Sequence, residues 1–139
     1  MATVNFTGKW MEDHADNKEA MLKKLGMPEE QAAQMVAFNM GIDIMHEGDN
    51  FTMTMLTPDG KEICVNKFSI GVPMTPTVPA GAIPMHEMVM SYVEGGKALR
   101  AKATGDNDYI DDTYLEPNGD MKVVQKAGDV TCTTIYKKM

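Results

Sequence analysis

Apolar and polar positions change their period once along this chain. Between Asp13 and Phe38 the apolar residues recur at helical spacing, and after about Met40 they alternate in short runs. The helical stretch divides into two short helices. Asp13 or Asp16 can cap the first, Ala20, Met21, Leu22 and Leu25 supply its apolar side, and Gly26 suits a left-handed stop. Pro28 fits the first turn of the second, Glu29 and Glu30 complement its positive end, and Ala32, Ala33, Met35 and Val36 form its stripe. The acidic content argues against a DNA-reading helix-turn-helix.

The alternating part reads as strands and turns. Ile42 and Ile44 lead to Gly48-Asp49, and Phe51, Met53 and Met55 alternate with threonines up to Pro58-Asp59-Gly60. Further runs span Lys61 to Ile70, Met85 to Val93, Ala98 to Ala103, Tyr109 to Leu115, Met121 to Lys126 and Thr131 to Lys137. Gly95-Gly96, Gly105-Asp106-Asn107, Asn118-Gly119 and Gly128-Asp129 separate them, residues that tolerate positive φ in tight hairpins. Short turns force antiparallel neighbours. An up-and-down meander leaves two exposed edges unless its first and last strands meet, so closure into a barrel is expected. Pro73, Pro76, Pro79 and Pro84 cannot donate to a ladder, which predicts an irregular strand or an opening between Val72 and Pro84.

Composition narrows the function classes. The 139 residues suit one domain spanning 1–139, and 20 acidic against 13 basic residues give a net charge of -7, which repels nucleic acid. Fifteen methionines stand beside one tryptophan, four tyrosines and four phenylalanines. Methionine fills irregular apolar space, which suits either a plain core or an adaptable pocket wall. Cys64 and Cys132 are in no metal-ligand spacing and read as free thiols of a reducing compartment. With no basic-then-apolar leader and no long uncharged apolar run, a cytoplasmic protein that does not span a membrane is expected. Asn5-Phe6-Thr7 and Asn50-Phe51-Thr52 then match the glycosylation pattern by chance.

Phe6-Thr7-Gly8-Lys9-Trp10, the helical pair directly after it, Gly48-Asp49, Gly95-Gly96-Lys97 and the terminal run Cys132 to Lys138 together resemble the intracellular lipid-binding proteins, carriers of fatty acids, retinoids and bile acids. The resemblance covers essentially the whole chain. It implies an all-β fold: a ten-stranded antiparallel up-and-down β-barrel of the lipocalin-like calycin kind, with a two-helix lid over approximately residues 13–38 and no catalysis. By position it implies a portal at Met35 and Val36, the turn Thr57 to Gly60 and the loop around Ala80 to Pro84. Met35 and Val36 are equally read as ordinary lid packing.

Many members of that family hold a ligand carboxylate with two arginines and a tyrosine, because an anion in a dry cavity needs a fixed cation and donors. In this chain the tyrosine persists as Tyr136, while Thr134 and Tyr114 stand at the arginine positions. The family register turns Arg100, the one arginine, and Lys102 inward on the strand after Gly95-Gly96. Asp112 can reach Arg100 across the Gly105 hairpin, so Arg100 is a ligand contact, half of a structural pair, or solvated. Alternatively the cavity takes a neutral or weakly polar guest, with hydroxyls from Tyr114, Thr134 and Tyr136. Phe51, Met53, Met55, Met88, Met90 and Val123 then line the walls, and Cys132 shares the face of Thr134.

Other chemistry has weaker support. His14, His46 and His86 lie far apart, and the acidic group Asp106, Asp108, Asp111 and Asp112 lacks the ordered calcium-loop pattern, so no metal or cofactor is expected. No paired acid and base can be singled out. The expected function is intracellular binding and transport of a small hydrophobic ligand such as a fatty acid or retinoid, by a monomer whose lid can touch membranes transiently. Two alternatives keep the same barrel: a pigment or chromophore binder, and a ligand-free structural or interaction module plugged by its own methionines.

Overall fold

The computed structural model describes residues 5–37 (Met35 by its backbone alone), 39–75, 87–105 and 108–139. Strand β1 (Gly8–Asp16) is followed by helices α1 (Lys18–Lys24) and α2 (Glu29–Val36), then by β2 (Gly41–Glu47), β3 (Asn50–Leu56) and β4 (Glu62–Ser69). After the weak segment come β5 (Met88–Val93), a 3₁₀ turn (Glu94–Gly96), β6 (Ala98–Ala103), β7 (Ile110–Leu115), β8 (Met121–Ala127) and β9 (Val130–Lys138). The sheet order β4-β3-β2-β1-β9-β8-β7-β6-β5 is the expected meander, joined at its ends by antiparallel pairing of β1 with β9. A bulge between Glu12 and His14 bends β1 at that ladder.

Nine strands stand among the described residues, one fewer than the resemblance implies. Where a tenth was expected, Met74 makes an isolated antiparallel bridge with Met88, and the Gly71 N–H donates to the Met90 carbonyl at 2.9 Å. Residues 76–86, including the expected portal loop Ala80 to Pro84 and His86, lie outside the described residues. Pro73 ends the pairing locally because it has no N–H to contribute. The gap between β4 and β5 is thus spanned by the chain itself rather than by a continuous ladder.

The helices start later than the sequence pattern suggested. Asp13 and Asp16 belong to β1, and Asn17, at φ 63°, takes the N-cap position of α1. Only Met21 of α1 is fully buried, and Ala32 anchors α2. The helices cover the end of the barrel where β8 turns into β9. There Gly128 has φ 58°, and a Cβ on it would come within 3.0 Å of Lys24 Cε, so the two-residue turn requires glycine. Among the described residues no helix is long and apolar enough to cross a membrane.

Aromatic packing closes the opposite end. His46 lies between Phe6 and Phe51, with ring centroids 6.1 and 3.9 Å away, and Phe51 stacks on Phe68 at 4.8 Å. The Phe6 N–H donates to His46 Nδ1, which leaves the ring hydrogen on Nε2, within 3.0 Å of the Gly48 carbonyl and 2.9 Å of the Tyr92 hydroxyl. That bond ties the β2–β3 turn to β5 across the barrel end. Burial lowers the His46 pKa, consistent with a neutral ring in the stack. Trp10 seals the wall beside it, its indole N–H donating to the Phe6 carbonyl at 3.1 Å.

Phe51 was expected on the cavity wall; at 2% exposure it is instead part of this plug. Alternation speaks to the face of such a residue and carries no information about its height along the barrel. Phe51→Ala is expected to cost about 3–5 kcal/mol in urea-induced unfolding, the usual penalty for an unfilled aromatic site.

Candidate functional site

Between the aromatic plug and the helices the barrel encloses a cavity of about 250 Å³. Its apolar lining includes Met53 and Met55 from β3, Met74, Met88 and Met90 beside the gap, and Met121 from β8. Ile42, Ile44, Phe68, Leu99, Ala101 and Val123 complete the apolar surface. Methionines on opposite walls can change rotamer without breaking a hydrogen bond, so the shape of this space is adjustable.

Asn66 of β4 contributes one polar group, and the other polar groups gather on one side. Tyr109, Asp111 and Thr113 project inward from β7 and the residue before it, meeting Gln125 of β8 and Thr134 and Tyr136 of β9. Register explains the grouping, because Asp111 pairs with Ala101 on one side and Gln125 on the other. Gln125 Nε2 donates to the Tyr109 hydroxyl at 2.8 Å, and that hydroxyl donates to Asp111 Oδ2 at 3.0 Å. Enclosure by the barrel raises the Asp111 carboxyl from 3.8 to about 6, with the neighbouring Asp112 adding to the rise and the Tyr109 hydrogen bond opposing it. Burial likewise pushes the Tyr136 and Tyr109 hydroxyls up, so both stay neutral donors.

Of the residues expected at the site, Met53, Met55, Met88, Met90, Val123, Thr134 and Tyr136 line this cavity. Arg100 and Lys102 do not. Leu99 and Ala101 take the inward positions of β6, Lys102 is exposed, and Arg100 lies on the outer face. There Arg100 Nε and Nη2 reach Asp112 Oδ1 and Oδ2 at 2.8 and 3.0 Å, the cross-hairpin pair that was one reading of this residue. The family register misplaced this strand by one residue. The run Leu99-Arg100-Ala101-Lys102-Ala103 alternates clearly enough to have indicated it, since cations turn to water where they can.

Tyr114 also faces outward, with Lys122 Nζ 5.1 Å above its ring. Thr113 holds the inward position beside it. Cys132 is buried to 1% exposure within the core without reaching the cavity, its thiol raised by burial. Val36 is 41% exposed on α2, and the Met35 side chain lies outside the described residues. Of the polar lining, sequence reasoning missed Asn66, Tyr109, Asp111, Thr113 and Gln125. The alternation signal could not find them, because a polar residue on a strand ordinarily reads as solvent-facing.

A hollow barrel closed by β1 and β9 with a methionine-lined interior invites comparison with known carriers. The description "Lipocalin / cytosolic fatty-acid binding protein family" matches residues 4–139. The chain belongs to this family. A liver-type fatty acid-binding protein from Takifugu rubripes is 32% identical over 136 residues, 98% of this chain and 100% of that protein. Among solved structures, a Schistosoma mansoni fatty acid binding protein in complex with arachidonic acid superposes with a TM-score of 0.81 at 20% identity, covering 96% of both chains. The fluorescent protein UnaG superposes with a TM-score of 0.82 at 22% identity, covering 96% of this chain and 97% of that one. At these identities the structural likenesses concern the fold of the family.

Two outcomes follow from the geometry. The folded state holds the Asp111 proton to higher pH than the unfolded chain does, so its stabilising contribution is complete below about pH 4 and is lost as pH rises through about 6. Asp111→Asn is therefore expected to raise unfolding stability at neutral pH by roughly 1–3 kcal/mol and to change it little near pH 4, measured by urea titration at both values. Arg100→Gln is expected to leave the affinity for apolar ligands within about twofold of the parent in a fluorescence titration, since the side chain is outside the cavity.

Proposed function

We propose that this protein binds a small hydrophobic ligand, such as a fatty acid or retinoid, inside the barrel and carries it through the cytoplasm without altering it. The observation that carries this reading is the cavity inside the barrel, lined mostly by apolar groups. Burying apolar surface is worth roughly 25 cal/mol per Å², so a chain of methylenes gains steadily by leaving water for such a space. The relatives named for fatty acids support the same class of guest.

The transport step needs a way in. Release and uptake are assigned to α2, where Val36 is exposed, and the Thr57 to Gly60 turn, the portal that the family resemblance implies. A monomer that touches membranes briefly through the helices fits this route. No acid–base pair or nucleophile is required, because the Asp111, Tyr109 and Gln125 network is suited to holding a polar group.

The cavity is small: about 250 Å³, just under the usual range of roughly 300–1,000 Å³ for small-molecule sites. That size favours a slender chain over a bulky ring system, and it also gives weight to a barrel closed by its own methionines. The two readings separate in one experiment. Delipidated protein titrated with the neutral dye Nile red is expected to show one saturable site with Kd on the order of 1 μM, displaced by long-chain lipids that are recovered unchanged by mass spectrometry. Val123→Trp, which fills the cavity, is expected to weaken binding at least about tenfold while the protein still unfolds cooperatively. Absence of any saturable binding by the parent would establish the plugged barrel instead.

A further inference from the structure

We propose that the cavity selects ligands whose polar end donates hydrogen bonds, a protonated amine best of all, and that Asp111 is the acceptor. This assignment rests on the carrier reading and narrows its hydrophobic guests away from free fatty acids, towards chains that end in a donor.

The charge lining the cavity has one sign. Among the described lining residues Asp111 is the only carboxyl, and no arginine, lysine or histidine accompanies it. The cations nearest in sequence are committed elsewhere: Arg100 grips Asp112 on the outer face, and Lys102 is exposed. From β1, Glu12 is buried but held by Lys18 Nζ at 2.8 and 2.9 Å, a pair that neutralises itself. From β9, Tyr136 and Cys132 present neutral groups. From β6 and β8, the residues opposite Asp111 are Ala101 and Gln125. A carboxylate guest would therefore meet an acid without a counter-ion, in a space where water screens little.

Hydrogen bonding points the same way. Because Gln125 donates to the Tyr109 oxygen, the Tyr109 hydrogen is directed to Asp111 Oδ2. The Asp111 carboxyl itself lines the cavity, with Tyr109 as its donor on Oδ2. Thr113 and Tyr136 add hydroxyls on the same side. A carboxylate has acceptor capacity beyond a single hydrogen bond, and a guest bearing N–H or O–H groups uses it. An ammonium supplies both the hydrogen bonds and the missing positive charge.

The test uses one chain length and three head groups. Dodecylamine, dodecanol and dodecanoate are titrated against the Nile red complex of the full-length protein at about pH 7.5, and again near pH 5. The amine is expected to bind at least about tenfold tighter than the carboxylate, with the alcohol between them. Asp111→Asn is expected to bring amine and acid to within about threefold of each other while the alcohol changes little. Near pH 5, where Asp111 takes up its proton, the parent's preference for the amine is expected to shrink. Equal or tighter binding of the carboxylate by the parent at neutral pH overturns the assignment and leaves the carrier reading intact, and this comparison needs no variant. If neither Nile red nor any of the three binds, the carrier reading fails and this inference with it.

Discussion

The ladder between β1 and β9 is the contact on which the rest of the molecule depends. Without it the strands would fall into two separate sheets, β1 to β4 and β5 to β9, and their apolar faces would have no enclosed side. With it, every strand acquires an inner and an outer face. The bulge at Glu12 and His14 bends β1 where the ring closes, and Glu12 is carried inward to the buried pair with Lys18. The remaining gap, between β4 and β5, is narrowed by the Gly71 and Met74 hydrogen bonds and tied at one end by His46 and Tyr92.

A closed ring of this size has more interior than its backbone needs. One end is packed by Phe6, His46, Phe51 and Phe68, and the other is covered by α1 and α2. What lies between is left to side chains that fill space loosely. Six of the fifteen methionines line it, which makes the hollow adaptable and accounts for much of the unusual composition. Rigid aromatic packing at one end and soft packing in the middle divide the work: the first holds the barrel together, the second accommodates a guest.

The polar side of the cavity departs from what the resemblance implies. A pair of inward arginines would suit anions, whereas the cavity of this chain is lined by a single carboxyl, Asp111, bonded to Tyr109, which in turn accepts from Gln125. The barrel gives up stability to keep that acid at neutral pH, and ionisable groups held at such expense cluster at functional sites. Family membership thus accounts for the container, while residues on β7 and β8 give its lining a polar side that the resemblance does not imply.

Much of this architecture was legible in the amino-acid order. Gly48-Asp49 and Gly128-Asp129 announce two-residue turns, the alternation of Met53 and Met55 with threonines marks an inner face, and closure follows from the hazard of open edges. The cross-hairpin pairing of Arg100 with Asp112 was also readable from strand spacing. The side of the sheet on which that pair stands, and the depth of Phe51 along the barrel, were not. On β7 both faces are polar, Asp111 and Thr113 on one and Asp112 and Tyr114 on the other, so period alone leaves the inward face undecided. Neighbouring strands made the choice, because Ala101 and Gln125 in register with Asp111 face the cavity and Arg100 beside Asp112 faces water. Local order therefore determined the strands, the turns and the ring, while the polarity of the interior was decided only where four separate strands come together.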